Sequence, residues 1–275
     1  MIRHLLVASV AVVAALAAPA PDPVSPDPEG KNPIAAAEGV FIENMTWMEV
    51  RDAMRSGADT VIISTGGIEQ NGPYLVANKH GVVLQAMTES IARELGNALV
   101  APIVDFVPEG DIKPPTVHMK YPSTVSVREE TYRALLTDIV ASYKTHGFRH
   151  IVLIGDSGGN QDGLKAVAAA QDESAKNGPR VSFIPEYYNY GEVGEFLKTN
   201  GVNQVPEGIH DDFGITAIMS TVDPDSIRAK QRRKAGNFTI NGIDLAPLKT
   251  TQKWGRAIIK FRTDVTVAAI RKARK

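Results

Sequence analysis

The chain has 275 residues, 30 Lys and Arg against 31 Asp and Glu, and a formal net charge of −1. Near-neutrality gives no general electrostatic drive toward nucleic acid or an anionic membrane, and a hydrophobic fraction of 43% suits a globular chain rather than a disordered one. No Cys is present, which excludes disulfides, thiolate metal sites and thiol nucleophiles.

The chain opens on MIRHLLVASVAVVAALAAPA. Arg3 and His4 form a positive head, residues 5–18 are small and apolar apart from Ser9, and Ala15-Leu16-Ala17 is a small-x-small exit. That order reads as a signal peptide over residues 1–17 and implies an exported protein, periplasmic or secreted. The run is shorter than the roughly 20 residues of a membrane span, and an uncleaved anchor is the competing reading. A Pro-rich, acidic stretch follows as a linker over residues 18–37, leaving residues 38–275 as one α/β domain.

Thr46 and Glu49 have capping-box spacing at the head of a helix through Trp47, Val50 and Met54. Residues 60–64 are a β-branched run without polar alternation, as in a strand buried on both faces. A glycine-bearing loop over 65–79 leads to a helix with Val83, Met87, Ile91 and Leu95 on one face and Gly96 at its end. A second strand is expected over 98–104, then a Pro-rich loop over 105–122 and a short strand over 124–127. The spacing next predicts a helix over 128–143 that buries Leu135, Ile139 and Tyr143. Residues 151–154 read as a third buried strand, followed by Gly155-Asp156-Ser157-Gly158-Gly159-Asn160 and a helix holding Leu164, Val167 and Ala168. A fourth strand over 181–184 is followed by helices over 191–198, 213–219 and 254–274, and the basic run at 228–234 reads as a solvated surface segment. Strand, loop and helix recurring in order give a three-layer αβα fold with a mostly parallel central sheet.

Ligands of open parallel sheets bind beyond the carboxyl ends of the strands. The loops expected there carry Glu69, Asn71, Tyr74, His80, His118, Asp156, Ser157, Asn160, Glu186 and, further on, His210 and Asp212. His146 and His150 fall at the opposite end. Imidazoles and carboxylates gathered this way suit a metal centre with N and O donors, of Zn or Mn type. Thr65-Gly66-Gly67 and Ser157-Gly158-Gly159 match neither the Walker nor the dinucleotide-binding spacing. Gly155-Asp156-Ser157-Gly158-Gly159 also fits a nucleophile-elbow pattern, with Glu186 and His210 following in hydrolase order, so a Ser–His–acid site is a minor alternative.

Four of these segments resemble the creatininase (creatinine amidohydrolase) family. Gly66-Gly67-Ile68-Glu69-Gln70-Asn71-Gly72-Pro73-Tyr74-Leu75 is similar to its Gly-Ser-x-Glu-Gln-His-Gly-Pro-His-Leu. His118-Met119-Lys120-Tyr121-Pro122-Ser123-Thr124-Val125-Ser126 is similar to its His-x-x-Phe-Pro-Gly-Thr-x-Ser. The 155–160 loop resembles Asn-Gly-His-Gly-Gly-Asn, and His210 to Ala217 falls at His-Ala-Gly-x-x-Glu-Thr-Ser. The resemblance implies an αβα fold, a homo-oligomer that is often a hexamer, and metal-dependent hydrolysis of amide (non-peptide C–N) bonds in a small molecule. On that pattern Glu69 keeps a ligand position, whereas Asn71 and Ser157 stand where the family has ligand His, His80 where it has a bridging Asp, and Ile215 where it has an acidic residue. The expectation is therefore an altered centre. Glu69, His80 and Asp156 are its metal ligands, His118, His210 and Glu186 its catalytic groups, and Asn71, Tyr74, Ser157, Asn160 and Asp212 its lining. A catalytically silent homologue that binds a small ligand or serves as an assembly subunit is the alternative.

Overall fold

The structure, a computed structural model, describes residues 24–36, 38–173 and 176–274. The signal-peptide expectation lies outside the described residues. Residues 24–36 contain turns and bends and no helix or strand.

Four strands, β1 (Thr60–Thr65), β2 (Ala98–Val100), β3 (His150–Gly155) and β4 (Arg180–Phe183), form one all-parallel sheet in the order β2-β1-β3-β4. Both faces are covered, which explains the unbroken apolar runs of β1 and β3. Ile62, Val100, Val152 and Ile154 pack on one face against α2 (Lys79–Leu95), α5 (Tyr190–Thr199), α6 (Phe213–Val222) and the long α8 (Leu248–Ala273). Val61, Ile63, Leu99, Ile151 and Leu153 pack on the other against α1 (Trp47–Arg55), α3 (Glu129–Thr145) and α4 (Gln161–Gln171). The three layers expected from the alternation are therefore present. A short helix α7 (Ala229–Lys234) and the two-stranded β5 (Thr239–Ile240) and β6 (Ile243–Asp244) lie between α6 and α8 in the chain.

Local signals act as their chemistry predicts. Thr46 and Glu49 cap α1 reciprocally, and Gly96 ends α2 at φ 78°, where a Cβ would be strained. Four expectations are corrected. The second strand stops at Val100, and Val104 makes only an isolated bridge to Thr65. Residues 124–127 form no strand, only a bridge from Val125 to Ile68. In α3 the buried row is Tyr132, Leu136 and Val140, and Leu135 is exposed. Two adjacent rows of i, i+4 residues were available, and the one carrying Tyr132 wins because its hydroxyl reaches Thr65 Oγ1 at 3.1 Å, which makes its burial affordable. The basic run is not wholly solvated either: Arg232 is buried, with its guanidinium 4.2 Å from the centre of the Tyr74 ring.

The topology fixes where a ligand can bind. From β1 the chain crosses over α2 to β2 on one side, and from β3 it crosses over α4 to β4 on the other, on the opposite face. β1 and β3 are thus the neighbours at the switch point, and their carboxyl ends diverge into a crevice. The register pairs Thr65 with Gly155, so Glu69 and Asp156 emerge at the same edge.

Candidate active site

Two asparagines build the crevice walls. Asn160 Nδ2 donates to Gly66 O (2.8 Å) and Thr65 Oγ1 (2.9 Å), tying the β3 loop to the end of β1. Asn71 Nδ2 donates to Glu69 O (2.9 Å) and Val76 O (3.2 Å), which closes the loop carrying Glu69 on itself. Both are braces rather than lining, and Tyr74 is engaged beneath Arg232. Gly67 has φ 150°, and a Cβ there would come 2.1 Å from Glu109 Oε1, so only glycine lets that carboxyl approach.

His80 belongs to the first turn of α2 rather than to a loop, beside Lys79. Two basic side chains at a helix N-terminus oppose the helix dipole, and both are 4% exposed. Carboxylates compensate them. Lys79 Nζ donates to Glu69 Oε1 at 2.9 Å, His80 Nε2 meets the same oxygen at 2.7 Å, and His80 Nδ1 meets Asp156 Oδ2 at 2.8 Å. Asp156 Oδ1 accepts from Tyr190 (2.8 Å), Tyr187 (3.0 Å) and Arg262 Nη2 (3.2 Å). The result is a buried relay, Arg262–Asp156–His80–Glu69–Lys79, in which every charge has an opposite partner.

Its electrostatics follow from that pairing. Burial opposes the charged form of Glu69, but the His80 hydrogen bond and the Lys79 ammonium outweigh it and hold the carboxyl below the usual range. Burial works against a charged His80 too, yet its bonds to Asp156 and Glu69 raise it. Asp156 is lowered to about 2, the His80 and Arg262 interactions overcoming desolvation. For Glu109, burial and the Glu69 charge outweigh the His80 charge and the Ser157 hydrogen bond and push it up to about 8.

The outer side of the crevice differs. His118 stands in a 3-10 turn (Val117–Lys120) of the long loop, with Nε2 3.1 Å from Glu69 Oε2. His210 Nδ1 lies 3.0 Å from Gln70 O and 3.8 Å from Glu69 Oε1, and the two imidazoles are 4.5 Å apart. Burial and the Lys79 charge lower His210, favouring its neutral ring. Asp212 caps α6 through Ile215 N at 2.7 Å. These groups, with Ser157, line a cavity of about 610 Å³.

Of the expected ligands, Glu69 and His80 meet, whereas Asp156 stands behind the His80 ring and is not among the donor atoms gathered at Glu69; His118 and His210 approach Glu69 from the outer side, and Ser157 and Asp212 share the cavity wall. Glu186 does not join them: it is exposed, in the turn after β4, and is not in the cavity wall, so the Ser157–His210–Glu186 alternative has no acid in place. Lys79, Glu109, Tyr190 and Arg262 are the members that sequence reasoning missed. Among the described residues, two groups of donor atoms lie within 4.8 Å of one another, Glu69–His118–His210 and Glu69–His80–Glu109.

A family model described as creatininase, creatinine amidohydrolase, matches residues 43–269. The chain belongs to the creatininase family. Among curated relatives, a 3-dehydro-scyllo-inosose hydrolase of Thermotoga maritima is 27% identical over 44% of this chain and 36% of its own length. The creatinine amidohydrolase of Pseudomonas putida is 25% identical over 43% of this chain and 45% of its own. The matched stretch thus spans under half of either relative. A creatininase mutant of Zn-Zn type superposes with a TM-score of 0.62 at 18% identity, covering 86% of this chain and 98% of that one. A creatininase in Mn form gives 0.61 at 18% identity over the same shares. These superpositions establish the creatininase fold, and creatininases are metal-dependent amidohydrolases that include zinc and manganese forms.

Proposed function

We propose that this chain hydrolyses an amide C–N bond of a small molecule in the Glu69 crevice, with a divalent ion, zinc or manganese, at an altered centre. The observation that carries the reading is the convergence of Glu69, His118 and His210 at the open side of the cavity. Their donor chemistry fits such an ion. One carboxylate oxygen and two imidazoles are a common catalytic set that leaves a coordination position open, and Glu69 Oε2 is not the oxygen taken by Lys79. A bound ion would polarise the substrate carbonyl and acidify a water.

The remaining residues place and partner the substrate. The Ser157 hydroxyl offers a donor, and the carboxylates Asp211 and Asp212 in the cavity wall offer acceptors. Such a wall suits a small polar molecule that carries both C=O and N–H groups. Asp156 acts through His80, holding the ring against Glu69. Export supported by the first 17 residues, and assembly into a homo-oligomer such as a hexamer supported by the family likeness, belong to the same reading; N-terminal sequencing and light scattering test them.

Metal-reconstituted protein assayed against a panel of cyclic and linear amides should release amine or open the ring. Glu69→Gln should lower that turnover by about 100-fold or more, the scale on which positioned groups contribute. The silent-homologue reading is favoured by one observation, the saturation of both Asp156 oxygens and of Glu69 Oε1 by protein donors. Binding of an amide without turnover across the panel would select it.

A further inference from the structure

The family metal centre implies cations around Glu69, and on the buried side this chain already has one. Lys79 Nζ is 2.9 Å from Glu69 Oε1, with Lys79 4% and Glu69 2% exposed. The same oxygen meets His80 Nε2, so it has two donors. Glu69, His80 and Glu109 nonetheless present donor atoms within 4.8 Å of one another. Asp156 stands behind His80 Nδ1, the position from which a carboxylate orients a metal-binding imidazole. The inner position thus has a ligand set and an orienting group, and an ammonium is seated on its central carboxylate.

We propose that Lys79 is a resident cation in place of a metal ion: its ammonium neutralises Glu69 on the buried side, closes the Glu69–His80–Glu109 position and limits the chain to one divalent ion. An ammonium at hydrogen-bond distance from the shared carboxylate opposes a second cation by direct repulsion and by occupying the oxygen that would bind it. The outer position also offers Glu69 Oε2, which His118 Nε2 approaches at 3.1 Å and the Lys79 ammonium does not hold. The inference rests on the proposed ion at Glu69, His118 and His210 only for the count of one, and not for the closure of the inner position.

The test is the number of Mn²⁺ or Zn²⁺ ions per chain, from metal analysis after equilibrium dialysis and from titration calorimetry. Full-length wild type and Lys79→Arg, which keeps the cation, should each bind one ion. Lys79→Met should bind two, and Lys79→Met with His118→Ala should bind one. Far-UV circular dichroism checks the fold, and Lys79→Gln, which keeps a hydrogen-bond donor without charge, serves if the Met variant does not fold. The gained ion should also give Lys79→Met a metal-dependent rise in Tm larger than that of wild type. Two ions in wild type, or an unchanged count in both folded neutral variants, would overturn the inference. No ion in wild type but one in Lys79→Met would uphold it while removing the outer site, so the two readings fail separately.

Discussion

The two sides of Glu69 follow opposite rules. On the inner side, Arg262, Asp156, His80 and Lys79 are buried, and each is paired with an opposite charge. On the outer side, His118 and His210 are partly exposed, with side chains 19% and 43% accessible, and His118 comes within 3.1 Å of Glu69 while His210 stays 3.8 Å away. A buried ion pair is held by its partners and fails when one is removed, whereas a rim residue can be exchanged at little cost to the fold. One carboxylate therefore meets both regimes: Lys79 and His80 hold Oε1 from the buried side, and His118 approaches Oε2 from the open side.

The contrast breaks most readily at Arg262. Arg262→Met leaves Asp156 charged and buried with one cationic partner fewer, and should cost about 3–5 kcal/mol, a fall in Tm of roughly 10 °C for a domain of this size. Chemical denaturation measures it, and a loss below about 1 kcal/mol would mean that the inner relay is not a charge-paired unit.

Acid sharpens the same point. Asp156 is lowered from 3.8 to about 2 in the folded chain, so its contribution is present above pH 4 and is lost as the pH falls toward 2. That contribution is about 2 kcal/mol. Asp156→Asn has no such titration, and the stability gap between it and wild type should narrow by about that amount from pH 5 to pH 2. A constant gap would remove Asp156 from the account.

The smallest effect belongs to the rim. His118→Ala and His210→Ala should each change stability by no more than about 0.5 kcal/mol, while weakening metal binding more than tenfold, the lower end of what even an outer-shell loss costs. A loss near 2 kcal/mol in urea denaturation would place these imidazoles in the structural half of the site.

Much of this was legible in the residues. The runs of β1 and β3, the Gly96 stop and the strand–loop–helix order led to the right layers, because hydrophobic periodicity and glycine chemistry are local signals. Glu69, His80, Asp156, His118 and His210 could be gathered because loops after parallel strands share one edge. What failed was tertiary. Arg262 lies 106 positions from Asp156 on α8, with no pattern linking them. Lys79 read as the last residue of a loop, although its place in a helix N-terminus against the Glu69 carboxylate is what gives it meaning. Glu186 was placed by strand order alone, and the turn after β4 carries it outward.

The most direct test of the two-sided carboxylate is where a single ion sits. Anomalous diffraction from crystals of the wild-type chain loaded with Zn²⁺ or Mn²⁺ should show one peak, bounded by Glu69, His118 and His210, with Lys79 Nζ still on Glu69 Oε1. A peak among Glu69, His80 and Glu109, with Lys79 turned away, would contradict the account.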